Sequence, residues 1–178
     1  AARWVLERLE DGDLDRRLLL LEWVRLLLER KPLIEPLGLK ELLLRRASDP
    51  VGEVANKVTL CLAKAIEADR DFGHQLALRL HEREETLVKR AMADVLTRLF
   101  RRLTWDALPL LDDMLQSDDE GVLAAASATV GDVKYLDKEQ WADRLRQLCD
   151  HPLPIVRRNL VPNPVSYTHL RAHETVGN

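Results

Sequence analysis

Glu84-Glu85-Thr86-Leu87-Val88-Lys89-Arg90-Ala91-Met92-Ala93-Asp94-Val95-Leu96-Thr97-Arg98-Leu99-Phe100-Arg101-Arg102-Leu103 is the stretch that decides the fold. Val88, Leu96 and Leu99 fall on one side at the 3.6-residue period, with cations on the other, which predicts an amphipathic helix. The same motif recurs. An apolar residue opens a comparable helix at Leu20, Val54, Val88, Leu123 and Val156, in steps of 34, 34, 35 and 33 residues. A shorter leucine-rich helix precedes most of these, at Leu42-Leu43-Leu44, Leu76-Ala77-Leu78, Leu110-Leu111 and Leu145 to Leu148. Each unit therefore reads as helix, polar turn, helix. One such pair cannot bury its apolar faces alone, so the pairs must stack.

Working outward, the expected helices run over 2–10, 14–31, 37–47, 51–68, 71–81, 84–103, 105–116, 120–130, 138–149 and 153–161. Pro32 and Pro36 break the chain after the second, because proline cannot continue a helix. Pro50 is expected at a first helical position, Thr104 as the cap of 105–116, Asp137 as the cap of 138–149, and Gly131 as a stop. Trp23, Trp105 and Trp141 fall on or at the start of apolar stripes and are expected in the core.

Composition agrees. Leucine occurs 36 times against 3 isoleucines, aromatic residues make up 4% and charged residues 32%. Strand formers are scarce and helix formers abundant, which predicts an all-α protein and excludes sandwiches, barrels and parallel sheets. With 27 basic and 30 acidic side chains the net charge is -3, so no global field steers the chain to nucleic acid or to an anionic membrane. No segment approaches the roughly 20 apolar residues that span a bilayer. Two separated cysteines, Cys61 and Cys149, suggest reduced, half-buried thiols and a cytoplasmic setting.

Val88-Lys89-Arg90-Ala91 with Ala93, Leu96 and Leu99 resembles the second-helix pattern of the HEAT-like α-solenoids. Asp150-His151-Pro152-Leu153-Pro154-Ile155-Val156-Arg157-Arg158 resembles their turn and second-helix start. Asp49 with Val54 and Leu123-Ala124 match more weakly, since Ala55 and Ala124 stand where a basic residue is expected. The resemblance spans 1–164. It implies a right-handed α-solenoid of antiparallel helix pairs, about 34 residues per repeat, that binds another protein or a flanking domain of its own chain. It carries over no catalytic residue.

The termini raise a separate expectation. The chain opens on Ala1-Ala2-Arg3-Trp4 without a methionine or a signal peptide, as an internal fragment would. Val165-Ser166-Tyr167-Thr168-His169-Leu170-Arg171-Ala172-His173-Glu174-Thr175 resembles the translation of a transposon-type sequencing-library adapter. The expected organisation is a HEAT-like segment over 1–164, part of a longer protein, and a non-native tail over 165–178. His169 and His173 are therefore not read as a metal pair.

Tests for chemistry give little. No glycine-rich phosphate loop and no zinc-type Cys/His spacing is present. Cys149 beside His151 reads as a core thiol next to a turn histidine, and His74 with His81 as ordinary helix residues. The acidic runs at Asp112-Asp113 and Asp118-Asp119-Glu120 read as caps and solvated turns. No cofactor, metal or catalytic residue is expected, and the chain is not read as an enzyme. The remaining candidates are cations on the second helices: Lys57, Lys64, Lys89, Arg90, Arg98, Arg101, Arg102, Arg157 and Arg158. Converging on one face, they could contact a partner chain or grip phosphates, as in nucleic-acid-binding solenoids that resemble the alkylated-DNA glycosylases. Glu53, Glu67, Glu85 and Asp94 interleave with them, and aromatic stacking residues are few.

Overall fold

The computed structural model describes residues 2–10 and 13–161. The segment 165–178 lies outside the described residues. Among the described residues twelve α-helices follow one another: α1 Ala2–Glu10, α2 Leu14–Leu27, α3 Leu39–Ala47, α4 Gly52–Thr59, α5 Leu62–Ala68, α6 Arg70–His81, α7 Thr86–Leu103, α8 Leu108–Met114, α9 Glu120–Ser127, α10 Val130–Val133, α11 Lys138–Leu148 and α12 Pro154–Leu160. No strand occurs among the described residues. Aspartates start four of the helices: Asp13, Asp69, Asp119 and Asp137 each accept a backbone N–H in the first turn.

The helices form two layers of an α-solenoid. The first helices of the units are α1, α3, α6, α8 and α11. The second helices are α2, α4 with α5, α7, α9 with α10, and α12. Neighbouring second helices pack in series, α2 on α4, α4 on α7, α7 on α9 and α9 on α12. Their recurring apolar residues Leu20, Val54, Val88, Leu123 and Val156 are all buried. Each belongs to the apolar core on which the units stack. The core is one long cluster over the first four units and a smaller one around Val156; Leu115 and Trp141 pack against both.

Several expected boundaries differ. The helix expected over 51–68 is two helices, broken at Leu60-Cys61, where the Leu60 and Cys61 N–H groups turn to the carbonyls of Lys57 and Val58. The bend brings α5 against α6 at Gly73. A Cβ there would lie 2.3 Å from Ile66 Cγ1 and 2.6 Å from Ile66 Cα. Pro50 lies before the helix; Val51 is the extended residue from which α4 starts. Thr104 is not an N-cap but the C-cap of α7, its N–H donating to the Phe100 carbonyl. It ends α7 at φ 53, a strained region for a β-branched residue, and its Oγ1 donates to the Leu103 carbonyl. Gly131 does not stop a helix but sits within α10. α9 ends earlier, at Ser127, whose hydroxyl bonds the Ala124 carbonyl and so competes with the helix ladder.

Trp141 packs against the core as expected, but Trp23 and Trp105 are 50% and 49% exposed. Trp105 leaves the stripe because a 3-10 turn, Thr104–Ala107, replaces the first turn of the expected helix. The cysteines also divide. Cys61 is buried, and loss of hydration pushes its thiol up to about 12; Cys149 is exposed rather than a core thiol. A chromogenic thiol reagent is therefore expected to titrate one thiol quickly in the folded protein and both in denaturant. Two fast equivalents without denaturant would contradict the burial of Cys61.

Candidate functional surface

In α7 the buried residues Val88, Met92, Leu96, Leu99 and Leu103 face inward, while Leu87, Asp94 and Arg98 lie on the opposite, exposed side. One step of 34 residues back, the same positions hold Glu53, Leu60 and Lys64; two steps back they hold Leu19, Leu26 and Arg30. This open side of the second-helix layer is the candidate surface.

Most of its charges are spent on the solenoid itself. The Lys57 ammonium binds Glu22 of the preceding unit. Lys64 lies 3.3 Å from Glu29 and 3.5 Å from Glu67, and Glu67 in turn binds Arg102. Glu29, Lys64, Glu67 and Arg102 thus form a chain of alternating charge across three units. Arg90 grips Asp119 through two bonds of 3.0 Å, Arg101 lies 3.4 Å from Asp132, and Lys89 lies 2.8 Å from Glu84. Arg157 donates to the carbonyls of His151 and Pro152. Among the described residues Arg98 and Arg158 have no such partner. The structure thus brings the cations of α4, α5 and α7 to one layer but engages nearly all of them.

The pKa shifts follow these contacts. The Lys57 bond, then Arg25, holds the Glu22 carboxyl below its usual range despite some desolvation. Arg90, then the Val122 N–H, does the same for Asp119, and Glu29 raises the Lys64 ammonium. A phosphate would have to displace these carboxylates.

Consecutive units are also joined by Arg17 of α2 to Asp49 and, on the first-helix side, by Lys40 to Asp69, Arg70 to Asp106 and Arg144 to Asp112. A cleft of ≈ 870 Å³ beside α8 and α11 is lined by Asp112, Asp143, Arg144 and His151, among others. The four groups named here have partners: Arg144 holds Asp112, Arg146 holds Asp143, and His151 Nδ1 accepts the Leu153 N–H. Cys149 Sγ donates to the Arg146 carbonyl at 3.3 Å, so Cys149 and His151 make separate contacts. No group of three or more metal-ligating side chains occurs among the described residues, and none of their helices is long and apolar enough to cross a membrane.

Leu19, Leu26, Leu60 and Leu87 look like core residues one by one in the sequence, and Arg30 falls outside the cationic second-helix runs. The 34-residue step, applied to exposed rather than buried positions, finds them. The break between α9 and α10 adds a hollow of ≈ 140 Å³, lined by Thr97, Arg101, Gly131, Tyr135, Trp141 and Asn159, among others.

Neither a family model nor a curated protein matches the chain. Solved structures do. An engineered protein from a structural genomics consortium superposes with TM-score 0.61 at 16% identity, over 89% of this chain and 75% of its own. A second engineered protein from the same source gives 0.60 at 16%, over 89% of this chain and 45% of its own. Computationally designed armadillo repeat proteins for modular peptide recognition give 0.57 at 15%, over 98% of this chain and 88% of theirs. These likenesses are of fold: helical repeats stacked into a solenoid.

Proposed function

We propose that the chain is a non-enzymatic protein-interaction scaffold, a HEAT-like segment of a longer cytoplasmic protein that holds a partner polypeptide across the open side of its second-helix layer. The observation that carries this reading is the charge ladder. Ion pairs between units satisfy the layer internally, leaving a pre-organised face with Leu60 and Leu87 exposed and with Arg98, which carries no ion pair among the described residues, next in sequence to Thr97 of the Gly131 hollow. Apolar anchors among neutralised charges suit a peptide better than a polyanion. The likeness to designed peptide-recognition repeats supports the same choice. Two free cysteines fit a reducing compartment. The tail over 165–178 is held to be non-native on its resemblance to a translated adapter alone.

A random peptide library displayed against the folded chain tests the proposal. Selected peptides should bind in fluorescence anisotropy and lose about tenfold or more in affinity on Leu60→Glu, Leu87→Glu or Arg98→Glu, with melting temperatures preserved. Peptides insensitive to all three changes would refute this face. The nucleic-acid reading makes the opposite forecast: labelled duplex DNA would bind with a steep dependence on salt.

A further inference from the structure

We propose that the hollow at Gly131 is the anchor pocket of the open side, built to take one aromatic side chain that has a carboxylate beside it. The inference rests on the reading that this side holds a polypeptide, and it names what that polypeptide inserts. The hollow has units on both sides of it. Thr97 and Arg101 of α7 line it from the preceding unit, and Asn159 and Leu160 of α12 from the following one.

The repeat register shows that this space is particular to the fourth unit. Steps of 34 residues place Leu60, Asp94 and Ala128 at one position, Ala63, Thr97 and Gly131 at a second, and Glu67, Arg101 and Tyr135 at a third. At the first two positions the fourth unit has the smallest side chain of the three. At the last it has an aromatic ring where the others have a charge. A Cβ on Gly131 would meet nothing within 4 Å, so α10 leaves the space open. The Tyr135 side chain is 52% exposed, with the Lys134 ammonium 4.9 Å from its ring centroid. The resulting void of ≈ 140 Å³ is about the size that takes one benzene ring, and Tyr135 and half-buried Trp141 give it aromatic walls.

Charge selects the neighbour of that ring. Arg101 is exposed and lies 3.4 Å from Asp132. Arg98, three residues earlier on the same helix, is exposed and carries no ion pair among the described residues. Around the hollow three cations, Arg98, Arg101 and Lys134, stand against two carboxylates, Asp94 and Asp132, which leaves one positive charge in excess. A guanidinium binds a carboxylate through paired hydrogen bonds, so the excess suits an acidic residue next to the inserted ring and opposes a basic one.

Fluorine NMR with para-fluorophenylpropionate, which joins one ring to one carboxylate, tests this on the full chain. Its resonance should shift and broaden with a dissociation constant on the order of 1 mM, as suits so small a ligand. Gly131→Leu fills the hollow from a helical position and should weaken the probe about tenfold or more, with the melting temperature kept or raised. Tyr135→Ala, at an exposed position, should weaken it about threefold or more. para-Fluorophenethylamine, the same ring with a cation, should bind about tenfold more weakly than the acid. Leu60→Glu and Leu87→Glu should leave the probe unaffected. No shift up to about 10 mM probe, binding that survives both Gly131→Leu and Tyr135→Ala, or equal binding of acid and amine would each overturn the proposal. Peptides that need Leu60 and Leu87 but tolerate Gly131→Leu would also overturn it, and would leave the scaffold reading standing. A probe held at the hollow by a chain that selects no peptide would do the reverse.

Discussion

Gly73→Ala is expected to lower the unfolding free energy by about 3 kcal/mol, the upper end for overpacking a tight contact. The glycine stands where α6 crosses α5. Its missing side chain is filled by Ile66, whose backbone N would lie 2.7 Å from an added Cβ. A flexible side-chain tip could swing aside, but a backbone atom cannot without moving α5, and with it buried Leu62 and Ala65. Gly131→Ala is the matched control. It lies in α10 with nothing within 4 Å of its added methyl group, so it should be neutral or stabilise by up to about 1 kcal/mol through helix propensity. Urea denaturation of the two variants gives both numbers. Equal effects at the two sites would show that the α5–α6 crossing is looser than these distances.

Asp49→Ala is expected to cost about 3 kcal/mol, as when one partner of a buried ion pair is removed. The Asp49 side chain is 1% exposed and binds Arg17 at 2.8 Å and Arg46 at 2.8 Å, so it ties α2 of the first unit to α3 of the second. Its Oδ1 also accepts the Val51 N–H at 3.0 Å. Removing it leaves two largely buried guanidinium groups facing each other. Burial pushes the Asp49 carboxyl up, but the Val51 N–H, Arg46 and Arg17 together outweigh burial and hold it below the usual range. A carboxyl depressed in the folded state contributes its stability in full above its unfolded pKa of about 4, and loses it as pH falls through the native value. The gap between wild type and Asp49→Ala should therefore be constant from neutral pH to about 5 and shrink below about 4. Chemical denaturation at several pH values measures it. A gap that persists at low pH would assign the loss to the Val51 cap or to packing, not to charge.

Much of the fold is legible in the sequence. The 34-residue recurrence of Leu20, Val54, Val88, Leu123 and Val156 marked the stacking seams, and all five are buried. The aspartate before α11 and the acidic turn before α9 marked those starts. The breaks inside the second helices were not legible. Leu60-Cys61 contains no proline or glycine, and the chain turns there because α5 finds a closer seat against Gly73. Trp23 is not legible either: on a wheel it belongs to a broad apolar face, but Leu20, Leu21 and Val24 take the buried side of α2 and leave Trp23 half in water.

The sequence by itself therefore determined the helix-pair unit, its period and the inward-facing residue of each second helix. These follow from local periodicity and from the need of each amphipathic pair to bury its stripe. Only the tertiary structure decided which cations remain available. Lys57, Lys64, Arg90, Arg101 and Arg102 look alike as a basic run, yet each is claimed by a carboxylate about one repeat away. An ion pair depends on distance in space, and here stacking one unit on the next creates that proximity.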